Sequence, residues 1–96
     1  MLCLLVLTMS STIAADANKG KALYNSKCVQ CHGENALGNV EKKAPKLAGQ
    51  YDWYIDTQLG NFKKKIRNNV DMDPIIADLT DADFKDISLY ISQIKK

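Results

Sequence analysis

The sequence predicts a small all-α domain, and three observations carry that prediction. Apolar residues recur at three- and four-residue steps in separate stretches, glycine and proline punctuate the segments between them, and no period-two alternation runs long enough for a strand. At 96 residues the chain has the length of one domain.

Each element has its own signals. Met1 to Ala15 carry no charge, and the apolar run Leu2–Met9 is followed by Ser10, Ser11, Thr12 and then Ile13-Ala14-Ala15. That order reads as the apolar region and small-residue cleavage site of an export signal, although no Lys or Arg precedes the run. It is shorter than the roughly 20 apolar residues that span a bilayer, so cleavage near Ala15 is favoured over an anchor. Cys3 would leave with it. The domain proper is then residues 16–96.

A first helix is expected over about Ala17–Lys27, with Asp16 as its N-cap. A second is expected over about Tyr51–Asn68, where Tyr51, Tyr54, Ile55, Leu59, Phe62 and Ile66 repeat with helical spacing. A third begins at Thr80, which forms a capping-box-like start with Asp83, and places Phe84, Ile87, Ile91 and Ile94 on one face with Tyr90 beside them. Between them, Gly33–Gln50 carries Gly33, Gly38, Pro45 and Gly49, and Val70–Leu79 carries Met72 and Pro74. Loops this long in a compact chain are usually functional, and here they need something to wrap around. A chain this small also buries too little apolar surface for comfortable stability without a staple or cofactor.

Cys28-Val29-Gln30-Cys31-His32 supplies that centre. C-x-x-C-H is the sequence through which haem is covalently attached. Two thiols add across the two vinyl groups of the porphyrin. On a helical segment, residues three and four apart share a face, so Cys28 and Cys31 can grip one edge while His32 turns its imidazole under the iron. C-x-x-C also marks zinc sites and thiol redox pairs. Zinc needs further Cys or His ligands, and His32 is the single histidine. A thioredoxin-like pair needs a βαβ pattern, which is absent. Haem is the reading that uses every residue of the motif.

With one histidine, ligation by two histidines within the chain is excluded. Met72 is the one methionine beyond the apolar leader, and a methionine is ordinarily core filler. Given haem it is the leading sixth ligand, since Met/His ligation of haem iron is well attested, with a lysine or an open position as the alternatives.

The chain resembles the class I cytochromes c, of the small bacterial monohaem, high-potential type. The motifs are Gly20-Lys21-Ala22-Leu23-Tyr24 in the first helix, Ala44-Pro45-Lys46-Leu47-Ala48-Gly49-Gln50 after the attachment motif, Tyr54, Gln58, Leu59, Phe62, Lys63 and Arg67 in the middle helix, Met72 with Pro74, and Leu79-Thr80-Asp81-Ala82-Asp83 before the last helix. The resemblance implies helices and loops wrapped around one covalent haem c, with His32 and Met72 as axial iron ligands. It implies that the Pro45 carbonyl accepts a bond from the His32 ring, that Gly20 admits an aromatic of the last helix (here Tyr90), and that Arg67 approaches a haem propionate. The family often has Gly where Lys65 stands, so the middle helix is expected to run on.

The implied function is periplasmic one-electron transfer between redox proteins, donor and acceptor unspecified, with a membrane oxidase or reductase complex among the partners. Two protein ligands leave no position at iron for a small-molecule substrate, and no nucleophile–base constellation points to an enzyme in its own right. Two alternatives stay open: a cytochrome subunit of a dehydrogenase, and a gas-binding haem protein should Met72 not be a firm ligand. The net charge of +2 is too small for a nucleic-acid partner. It is unevenly spread, with ten basic and five acidic residues over 16–67 against three and six over 68–96. Lys42, Lys43, Lys46, Lys63, Lys64 and Lys65 form a basic group suited to steering toward an acidic partner.

Overall fold

The computed structural model describes residues 14–95, so all but the last two residues of the expected export signal, Cys3 included, lie outside the described residues. Five helices follow in order: α1 (Ala17–Lys27), α2 (Val29–His32), α3 (Asp52–Lys63), α4 (Asp73–Ala77) and α5 (Asp81–Ser92). Among the described residues the one β-type pairing is an isolated antiparallel bridge between Asn39 and Ala44. The architecture is all-α.

The long helices begin where their caps dictate. Asp16 accepts from the amides of Asn18 and Lys19, at 2.9 and 3.2 Å, satisfying donors that the first turn leaves free. Thr80 and Asp83 complete a reciprocal box: the Asp83 amide donates to Thr80 Oγ1 at 3.2 Å and the Thr80 amide donates to Asp83 Oδ2 at 2.9 Å.

Packing then decides which apolar positions count. Ile55, Leu59 and Phe62 of α3 are buried together with Tyr24 of α1 and Phe84, Ile87 and Ile91 of α5. Tyr51, Tyr54 and Ile66, which share the stripe in the sequence, are 68%, 40% and 71% exposed. Tyr51 precedes the helix and Ile66 follows its end, so neither is carried onto the packed face.

Helices α1 and α5 cross at Gly20. A Cβ there would lie 1.9 Å from the carbonyl oxygen of Asp86 and 2.5 Å from its carbon. The glycine therefore admits the α5 backbone rather than the Tyr90 ring. That ring packs instead on Tyr24, centroids 5.6 Å apart and planes tilted by 51°. The crossing expected at Gly20 is real, but its partner is main chain.

The middle helix does not run on to Asn68. It ends at Lys63, capped by Lys64, and Lys65 adopts φ +61°. The Lys65 amide donates to Phe62 O at 3.2 Å and the Ile66 amide to Asn61 O at 3.0 Å. That pair of bonds is a Schellman termination built with lysine in the left-handed position usually held by glycine. The missing glycine alone did not signal continuation, because a left-handed lysine costs only about 1–2 kcal/mol, which the closing hydrogen bonds offset. Helix α4, in a stretch read as irregular, is like α2 a short helix of about one turn, too short to show a period.

Candidate functional site

The attachment motif sits where one helix is interrupted and another begins. Cys28 closes α1, its amide donating to Tyr24 O at 2.8 Å, and the same residue opens α2, its carbonyl accepting from the His32 amide at 3.0 Å. Residues 28, 31 and 32 thus lie within a single helical turn, the arrangement that the three- and four-residue spacing requires. The Tyr24 ring is buried, and its hydroxyl donates to Gly33 O at 2.5 Å. The residue after His32 is thereby tied to the core.

His32 is 5% exposed, and its Nδ1 lies 2.9 Å from Pro45 O. A carbonyl oxygen only accepts, so Nδ1 carries the proton and Nε2 keeps its lone pair for a metal. The carbonyl is held by the loop around it. Asn39 and Ala44 exchange amide bonds of 2.8 and 2.9 Å just before Pro45, and the Leu47 and Ala48 amides both donate to Ala36 O just after it, at 2.8 and 3.0 Å. Gly38, at φ +86°, is what lets these strands of chain approach. A Cβ there would stand 2.7 Å from Ala44 O and 2.9 Å from the Pro45 carbonyl carbon. The loop that looked long in sequence is thus pinned on both sides of Pro45 by backbone amides.

The Cys28 thiol lacks the lowered pKa of a reactive cysteine. Burial, and secondarily the neighbouring Cys31, push the Cys28 thiol up to about 11 from its ordinary 9.0. Reactive C-x-x-C cysteines move the other way, toward a stabilised thiolate. Among the described residues no group of three or more His, Cys, Asp or Glu is placed to hold a metal ion by itself. The donor set of two thiols and one imidazole with a free Nε2 fits a prosthetic group bound covalently at its edge and ligated axially.

Met72 precedes α4, half-buried and packed against the core. Its amide donates to Asn69 Oδ1 at 3.1 Å, and the Asp71 amide to the same oxygen at 2.9 Å. Arg67 folds back on α3: Nη1 donates to Gln58 Oε1 at 2.8 Å, and the guanidinium carbon lies 4.8 Å from the centroid of the Phe62 ring.

Three lysines of the basic group are engaged within the chain. Lys42 Nζ donates to Gln30 O at 2.6 Å, inside the attachment motif. Lys63 Nζ donates to Ala77 O and Leu79 O, both at 2.9 Å. Lys65 Nζ lies 3.7 Å from Asp73 Oδ2. Sequence reasoning gave these lysines no role beyond charge, and nothing local in the sequence marks the carbonyls they reach.

Comparison with known proteins gives the family. The family model described as cytochrome c matches residues 17–95. Cytochrome c-552 of Acidithiobacillus ferridurans is 35% identical over 88 residues, covering 83% of this chain and 37% of its own length. Cytochrome c-554(547) of Halothiobacillus neapolitanus is 34% identical over 93 residues, covering 85% of this chain and 100% of its own. The crystal structure of reduced recombinant cytochrome c4 from Pseudomonas stutzeri superposes with a TM-score of 0.76 at 30% identity, over 85% of this chain and 51% of that one. The chain thus spans about half or less of the c4 and c-552 relatives. Two half-buried thiols beside an imidazole oriented by a carbonyl, and a match running from α1 to the end of the described residues, meet in one conclusion: this chain belongs to the cytochrome c family, electron-transfer proteins whose cofactor is a covalently bound haem c.

Proposed function

We propose that this chain is a periplasmic one-electron carrier in which Cys28 and Cys31 hold the haem by thioether bonds and His32 and Met72 ligate its iron. The observation that carries the reading is the His32–Pro45 bond, which leaves Nε2 as the only ring nitrogen free to bind iron. When bound, the haem supplies a metal that gains and loses one electron. The protein's residues determine how that happens. His32 is oriented and made more basic by the Pro45 carbonyl. A Met72 thioether is soft, favours the reduced metal and raises the potential. Met72 and His32 together leave no position for a substrate, so the chemistry stays with the electron.

Exposed apolar side chains support the same reading. Leu37, Tyr54, Ile66 and Val70 are 54%, 40%, 71% and 86% exposed, on the segments that run between His32 and Met72. If a bound haem or a docked partner gathers these side chains into one covered surface, their exposure in the chain by itself is accounted for. The bonds of Lys42 and Lys63 to neutral carbonyls leave their charges in place, so steering toward an acidic redox partner draws on the whole basic group; electron-transfer rates insensitive to ionic strength would refute it. The similarity to a thiosulfate dehydrogenase electron acceptor of Thiomonas intermedia, 33% identical over 70 residues, and to the cbb3-type cytochrome c oxidase subunit CcoP of Azospirillum brasilense, 33% identical over 97, supports a second reading, in which the same domain is the fixed acceptor unit of a larger dehydrogenase or oxidase assembly. Co-purification with a catalytic subunit decides between the two. No helix among the described residues is long and apolar enough to cross a membrane.

The test is the visible spectrum of the protein matured in a host that attaches haem c. Haem that resists acid–acetone extraction, with a weak sulfur-to-iron band in the oxidised protein that Met72→Ala abolishes, is the expected result. Extractable haem sinks the attachment. Retained haem without that band, with rapid carbon monoxide binding, removes Met72 and moves the function to gas binding.

A further inference from the structure

The segment bearing Met72 is braced at both ends by side chains that belong to no ligand set. Upstream, Asn69 Oδ1 takes the Asp71 and Met72 amides, and the Asn69 amide returns a bond of 3.3 Å to Asp73 Oδ1. Downstream, α4 is only five residues long. A helix that short has no stability of its own, and its last carbonyls have no intrahelical donors. Lys63 supplies a donor from outside. Its ammonium reaches Ala77 O, the last residue of α4, and Leu79 O, two residues on, both at 2.9 Å.

The position of Lys63 gives those bonds leverage. It is the final residue of α3, one step beyond Phe62 and within two turns or so of Leu59 and Ile55, all of which are buried in the core. At the other end of the bond, Leu79 is 3% exposed. Two charge-assisted hydrogen bonds therefore join a fixed helix to the far side of the methionine segment. The neighbouring lysines do not share this geometry. The Lys65–Asp73 pair is 3.7 Å long with a largely exposed ammonium, a weak contact. Lys64 makes no side-chain hydrogen bond or ion pair among the described residues.

We propose that Lys63 is a positioning residue for Met72: by pinning the end of α4 to α3, it holds the thioether at the iron against displacement. The proposal rests on Met72 being the sixth ligand. It gives one lysine of the basic group an internal role besides its charge. An external ligand can bind only when Met72 has left, so its apparent affinity reports how readily the segment lets go.

The experiment is a titration of the oxidised holoprotein with imidazole, followed by loss of the sulfur-to-iron band, with global unfolding in guanidinium measured in parallel. Lys63→Met keeps the length and removes the donor. It is expected to lower the apparent imidazole dissociation constant on the order of tenfold. Lys63→Arg restores donors and should stay within about twofold of the parent, and Lys64→Met, an equal charge change one residue away, should do the same. Lys63→Gln, able to bond one carbonyl, should fall between and serves if the Met variant does not fold. An unchanged dissociation constant in Lys63→Met, or an equal change in Lys64→Met, overturns the proposal while the parent's band keeps Met72 as ligand. A parent without the band, and a Met72→Ala variant that binds imidazole as the parent does, overturns both.

Discussion

Replacing Tyr24 by Phe removes one hydroxyl and leaves the ring in place. The ring is fully buried and its hydroxyl donates to Gly33 O at 2.5 Å, on the residue after His32. Without the donor, the Gly33 carbonyl must find water at a partly buried position. The cost at neutral pH is about 1–2 kcal/mol, the range for one lost bond with incomplete rehydration. The pH dependence sharpens the prediction. Burial first, then the charges of Cys28 and Tyr90, raise the phenol to about 12 from 10.0. With Cys28 joined to haem as proposed, its contribution would disappear, but burial, the largest cause, remains. The folded state therefore keeps the proton at pH values where the unfolded chain, from about pH 10, releases it. Over that window the unfolded state binds fewer protons, so this group's stabilisation, complete below pH 10, is lost as pH rises, by up to about 1.4 kcal/mol per unit. The Tyr24→Phe variant, which has no phenol to titrate at this position, shows no such loss. Guanidinium unfolding of parent and Tyr24→Phe holoproteins, followed by far-ultraviolet circular dichroism at pH 7 and pH 11, should show the parent ahead at pH 7 and its lead reduced by about 1 kcal/mol at pH 11. Equal stabilities at pH 7, or a gap independent of pH, would refute the reasoning.

Gly20→Ala places a methyl 1.9 Å from the Asp86 carbonyl oxygen, which belongs to helix backbone and cannot rotate away. A loss of about 3 kcal/mol is expected despite the better helix propensity of alanine, and a drop below about 1 kcal/mol in denaturant unfolding would mean the α1–α5 crossing is looser than described. Lys65→Gly relieves the left-handed strain at φ +61° and gives up only the weak contact with Asp73. A net gain of about 0.5–1 kcal/mol is expected from the unfolding midpoint, and a loss would show that the Lys65 side chain contributes more than its geometry indicates.

Local chemistry made much of this protein legible. Asp16 and Thr80 sit where helices can start because short oxygen-bearing side chains satisfy the first free amides, and that needs no knowledge of the rest of the chain. The spacing of Cys28, Cys31 and His32 is a local geometric fact for the same reason, since residues three and four apart share a helical face wherever the helix lies. Tertiary structure decided the rest. The end of α3 depended on whether Lys65 would accept a left-handed backbone, and that was settled by carbonyls of Asn61 and Phe62 needing donors. Gly20 meets main chain rather than the Tyr90 ring because helix crossing, and not residue identity, selects the partner. Gln58 faces Arg67, and Lys63 reaches Ala77 and Leu79 across 14 and 16 residues, by contacts that no periodicity encodes. Sequence determines which groups seek partners, and the packing of α1, α3 and α5 determines which partners arrive within about 3 Å, because a hydrogen bond acts only at short range while the chain that delivers it is long.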